Sequence, residues 1–114
     1  MIFSTVHELG ATVVRPGVDR LTASNAKVFK DDIAALIESG VSELVIDFTD
    51  VSFMDSSGLG ALVGVLKKVG NRGDLVVCGL SAAVEQMFRI CRMDRVFTIY
   101  QDVQASVQAL SERA

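Results

Sequence analysis

Phe53-Met54-Asp55-Ser56-Ser57-Gly58-Leu59-Gly60 decides how this chain is read. Before it, Leu44-Val45-Ile46-Asp47-Phe48 is short, apolar and β-branched, as expected of a strand buried in a sheet. After it, Ala61 to Val69 has helical spacing, with Leu59, Leu62, Val63 and Leu66 on one face. The octapeptide is therefore a loop-to-helix junction. A hydroxyl at such a junction can cap the helix by accepting from a first-turn amide, so Ser56 and Ser57 are both candidate N-caps. The junction has a second property. Its free amides and the positive end of the helix dipole favour a phosphate, so a serine here could be a cap in one state and a modified switch in another.

Working outward, Val6 to Leu9 and Ala11 to Arg15 flank Gly10 and predict an antiparallel strand pair, which Pro16-Gly17 ends. From Ala23 to Glu38, Ala26, Phe29, Ile33, Leu36 and Ile37 recur at helical spacing, with Thr22 or Ser24 as cap and Gly40 as stop. Gly60 and Gly64, four apart, predict a close approach of the second helix to the sheet. Leu75 to Cys78 reads as another buried strand. Ser81 is placed to cap a third helix, and Asp102 a fourth, after an edge strand over Phe97 to Tyr100. Alternating helices and strands imply an α/β domain with a largely parallel sheet.

Composition narrows the function. The chain has 114 residues, half of them hydrophobic, and a net charge of −3. That suits one domain with an ample core. There is no basic stripe, which argues against direct nucleic-acid binding. No segment approaches the roughly 18 apolar residues of a membrane helix, and the N-terminus does not read as a signal peptide. Cys78 and Cys91 are widely spaced and predict reduced core thiols in a cytoplasmic protein. His7 is the one histidine, which leaves no nucleophile–base pair and no zinc ligand set. The phosphate loop GxxxxGK[ST] is absent. The expectation is a protein that is not an enzyme and needs no cofactor.

The longer stretch Asp50-Val51-Ser52-Phe53-Met54-Asp55-Ser56-Ser57-Gly58-Leu59-Gly60 resembles the signature of bacterial anti-sigma factor antagonists, the small members of the STAS family. The resemblance extends over nearly the whole chain, through Asp19, the order of elements and the length. It implies a single STAS domain over residues 1–114. The fold implied is a short mixed, largely parallel β-sheet with about four helices packed mainly on one side. It implies that Ser56 is the phosphoacceptor, within a loop of Asp55, Ser57, Gly58, Leu59 and Gly60. By itself, Asp55 reads equally as a turn former, and Gly58 and Gly60 as relief of crowding.

Asp19 matches a position that helps dock the partner, and with Arg20 and Met54 it makes up the expected partner-binding set. Where the family often has Gly-Glu-Leu-Asp, this chain has Pro16-Gly17-Val18-Asp19, with Arg20 next. Phe53, Met54 and Leu59 could serve either core or interface. The function implied is a partner switch. Unphosphorylated protein binds an anti-sigma factor, a serine kinase of the histidine-kinase-like ATPase type, and releases that factor's target. Phosphorylation of Ser56 ends binding, and a PP2C-like phosphatase restores it. The alternative is an accessory subunit of a transport complex, without a phosphoswitch.

Overall fold

A computed structural model of the protein describes residues 3–113. Strands β1 (Phe3–Glu8) and β2 (Ala11–Pro16) form the expected hairpin, with Val6 opposite Val13. Leu9 and Gly10 make its two-residue turn, both at positive φ, 50° and 84°. Turns of that kind match the twist of the strands they join.

The chain continues through β3 (Arg20–Leu21), α1 (Ala26–Glu38), β4 (Glu43–Asp47), β5 (Phe53–Met54) and α2 (Ser56–Val69). Then follow β6 (Asp74–Cys78), α3 (Ala82–Ile90), β7 (Thr98–Tyr100) and α4 (Val103–Arg113). The main sheet has the order β1-β2-β4-β6-β7; β1 is antiparallel to β2 and every other pairing is parallel. This is the mixed, largely parallel sheet expected from the alternation of elements.

Alternation along the strands divides the apolar side chains between two faces. Val14, Leu44, Ile46, Leu75 and Val77 meet Phe29, Ile33, Leu62, Val65, Val84 and Phe88 of α1, α2 and α3. Phe88 makes edge-to-face contacts with Phe48 and Phe97 at centroid separations of 6.4 and 5.7 Å. On the other face, Val13, Val45, Val76 and Cys78 are covered by Val107 and Leu110 of α4. Three helices thus lie on one face and one on the other.

Some local expectations are corrected. Helix α1 starts at Ala26, not Ala23, because residues 22–25 form a turn in which the Thr22 carbonyl accepts from the Asn25 and Ala26 amides. Its N-cap is Asn25, whose side chain accepts from the Thr22 amide and does not bond α1. Gly60 faces open solvent, and Gly64 packs against the side chain of Lys30 on α1. Of the two, only Gly64 serves a close contact, and that contact is with α1 rather than with the sheet. Ser81 and Asp102 cap as expected, accepting from Val84 and Ala105 amides at 3.3 and 2.8 Å.

Candidate functional site

Two very short strands build the site. β3 and β5 pair in parallel, Arg20 beside Phe53 and Leu21 beside Met54, as a two-stranded sheet apart from the main one. The pairing brings together residues more than thirty positions apart. The Asp19 carbonyl accepts from the Ser52 amide at 2.8 Å, and the Asp19 carboxylate accepts from the Ser52 hydroxyl at 2.7 Å. The Arg20 guanidinium lies 4.3 Å from the centroid of the Phe53 ring, a cation–π contact. Sequence alone presents Asp19 and Arg20 as a solvated pair ahead of a helix. In the fold they are exposed neighbours of the signature.

Strand alternation then sorts the signature. Phe53 is half-buried, while Met54 is 1% exposed. Met54 was expected among the partner contacts, but β5 points its side chain into the core, beside Leu21 and Gly58. Gly58 and Leu59 are likewise buried, and both belong to α2 rather than to a loop. A β-carbon at Gly58 would stand 2.7 Å from the Leu21 carbonyl oxygen and 2.9 Å from Met54 Cγ. Glycine is needed there so that α2 can begin against β3.

The cap is Asp55, in extended backbone, not Ser56 or Ser57. One carboxylate oxygen accepts from the Gly58 amide at 3.0 Å, and the other from the Ala23 amide at 3.3 Å. The Asp55 amide itself donates to the Leu21 carbonyl at 3.2 Å. Asp55 is therefore both the helix cap and the tie between α2 and the turn before α1. A longer hydroxyl-free acceptor suits this double role, which a single hydroxyl oxygen fills less well.

That arrangement leaves Ser56 and Ser57 unoccupied. They are the first two residues of α2, both exposed, and neither hydroxyl has a hydrogen bond among the described residues. Their own amides are among the orphan donors of a helix start. Gly58 donates to Asp55 and Leu59 to the Asp55 carbonyl, so the free donors are those of Ser56 and Ser57. A hydroxyl on a helix start with two unused amides is open to an incoming reagent, and a phosphate placed there meets favourable dipoles.

A second polar cluster sits at the end of β4. Asp47, 1% exposed, accepts from Arg15 at 2.8 and 3.1 Å and from the amide and hydroxyl of Thr49. Burial pushes its carboxyl up, but the hydrogen bonds from Thr49 and Arg15 outweigh it and hold it below the ordinary carboxylate range. Every acceptor site is matched, so this cluster is structural: it ties β2, β4 and the following turn. No group of His, Cys, Asp and Glu among the described residues is arranged to hold a metal. No helix among them is long and apolar enough to cross a membrane.

Comparison with known proteins places this geometry. The anti-sigma-B factor antagonist of Bacillus subtilis is 34% identical over 85 residues, covering 74% of this chain and 77% of that protein. An anti-sigma factor antagonist from Mycobacterium paratuberculosis has the same fold, with a TM-score of 0.86, 22% identity and 95% and 92% of the two chains covered. The anti-sigma factor antagonist SpoIIAA in its unphosphorylated form superposes with a TM-score of 0.77 at 20% identity, over 94% of this chain and 95% of that one. SpoIIAA is also known in a phosphorylated form, which superposes at 0.68 with 19% identity, over 94% and 98%. The STAS domain family matches residues 3–106, nearly the whole described chain, and the protein belongs to that family.

Proposed function

We propose that this protein is an anti-sigma factor antagonist controlled by phosphorylation of Ser56. The observation that carries the reading is the division of labour at the start of α2. Asp55 caps the helix, which leaves the exposed Ser56 hydroxyl without a structural task. Ser57 is equally free, and Ser56 is chosen between them because it directly follows the aspartate, the position that the resemblance to the family signature gives as phosphoacceptor.

The partner-facing surface in this reading is Asp19, Arg20 and the Phe53 edge, next to Ser56. The partner is an anti-sigma factor that is also a serine kinase of the histidine-kinase-like ATPase type, and it supplies the nucleotide. Phosphorylation adds roughly 1.5 to 2 negative charges near neutral pH. The helix start tolerates that charge, so the fold changes little. An interface closed over the same spot must desolvate the charge without a matching cation, so binding is lost. A PP2C-like phosphatase resets the switch, and the whole cycle runs in the cytoplasm. The chain does no catalysis of its own.

The test is intact-mass and site-mapping spectrometry after incubation with ATP and lysate from the source organism. Ser56→Ala serves as the control. One added phosphate at Ser56, absent from the control, is expected. No modification, with the lysate kinases shown active on another substrate, overturns the phosphoswitch.

A further inference from the structure

The segment Arg89-Ile90-Cys91-Arg92-Met93-Asp94-Arg95-Val96 differs from the rest of the surface. It carries a net charge of +2, and the remainder of the chain −5. Two of its large apolar side chains stand in solvent, Ile90 at 68% and Val96 at 51% exposed. Arg92 and Arg95 are exposed and have no side-chain partner among the described residues; Arg89 bonds Glu85 at 3.4 Å.

The backbone adds an independent observation. Arg92 follows the Cys91 cap of α3 in the left-handed conformation, φ 59°. That position after a helix ordinarily favours glycine, and a side chain there strains the backbone. An outlier of this kind, beside unpaired charges and exposed apolar groups, points to a functional surface.

Topology separates it from the switch. Helix α3 leads from the end of β6 back to the start of β7, so its last turn lies at the end of the sheet where the parallel strands begin. Helix α2 begins at the opposite end, after β4 and β5.

We propose that residues 89–96 form a second docking surface, for an acidic protein segment that anchors an apolar side chain against Ile90 and Val96. Charge complementarity selects that occupant: Arg89 is matched by Glu85, but the unpaired Arg92 and Arg95 attract a short acidic chain locally. Three arginines interrupted by Asp94 fall short of the four to eight basic residues of a membrane-attracting cluster. A second copy meeting this patch with its own about a two-fold axis would set Arg92 and Arg95 against their like-charged counterparts. Docking at this surface is independent of Ser56 and of the partner bound there.

The test uses the 15N-labelled 114-residue protein and an acetylated peptide of repeated Asp-Leu-Glu, with amide shifts recorded on titration. Saturable shifts confined to residues 89–96 are expected. They should weaken about tenfold or more in Arg92→Glu/Arg95→Glu, an energy difference of at least about 1.4 kcal/mol. They should also weaken in Ile90→Ser and persist in Ser56→Asp. Arg92→Gly guards against misfolding: it should raise the melting temperature by relieving the strained turn while weakening the peptide. Shifts that map elsewhere, or affinity unchanged in Arg92→Gly and the double variant, overturn the proposal. So does binding to phosphatidylserine vesicles in place of the peptide, or self-association in sedimentation that those variants abolish.

Discussion

Asp55 and Ser56 are adjacent, yet the structure gives them opposite duties. Asp55→Ala removes the cap on Gly58 and the tie to Ala23 together. It should cost about 1–2 kcal/mol in urea unfolding. Ser56→Ala removes an unbonded hydroxyl and should leave stability within about 0.5 kcal/mol, while abolishing phosphate uptake in the proposed switch. The neighbouring glycines divide in the same way. Gly58→Ala drives a β-carbon against the Leu21 carbonyl and should destabilise by about 1–3 kcal/mol. Gly60→Ala meets open space on an exposed helical turn and should stabilise by about 0.5–1 kcal/mol. Thermal melts of the two variants should move in opposite directions. If Gly58→Ala melts no lower than wild type, the close packing of α2 on β3 is not what requires Gly58.

Between elements, the strongest polar link is Asp47 at the end of β4, reaching Arg15 on β2 and Thr49 in the next turn. Its carboxyl is held below its ordinary value in the folded chain and returns to that value on unfolding. The sign follows: its contribution is fully present above about pH 4 and is lost as pH falls through the lower folded value. Asp47→Asn should therefore cost about 2–3 kcal/mol at neutral pH, and the gap from wild type should close in acid. Urea midpoints measured from pH 7 down to pH 3 check this. A gap that stays constant with pH would show that the carboxylate charge contributes nothing. Arg15 keeps half its side chain in solvent, so the link draws its strength from the buried carboxylate and its hydrogen bonds rather than from the ion pair alone.

Across the whole molecule, two apolar layers share one sheet but differ in depth. The layer under α1, α2 and α3 holds most of the large buried side chains, whereas α4 covers a thinner one. Cys78 lies in the thin layer, fully buried, and burial pushes its thiol up to about 11. Cys91 is half-buried at the end of α3. At pH 8 a thiol reagent should take up one equivalent quickly, at Cys91, and a second only as α4 opens. Leu110→Ala should cost about 2–3 kcal/mol and speed the slow phase without changing the fast one. Equal rates for both thiols would mean that α4 does not seal the second face.

Much of this was legible in the chain, because local physics decides it. Apolar periodicity marked the buried strands and the core faces of the helices, and Ser81, Asp102 and Gly40 marked their ends. Alternating elements marked the parallel sheet, and the Asp50–Gly60 signature marked the family. The tertiary structure decided what depends on partners distant in sequence. Only the β3–β5 pairing sets Asp19 and Arg20 beside the signature and turns Met54 inward. Only the fold shows that α2 begins at Ser56, which makes Asp55 its cap and adds the Ala23 amide as a second donor. Periodicity shows which side chains share a face, but not which face another segment will cover; that choice belongs to packing, and here it freed Ser56.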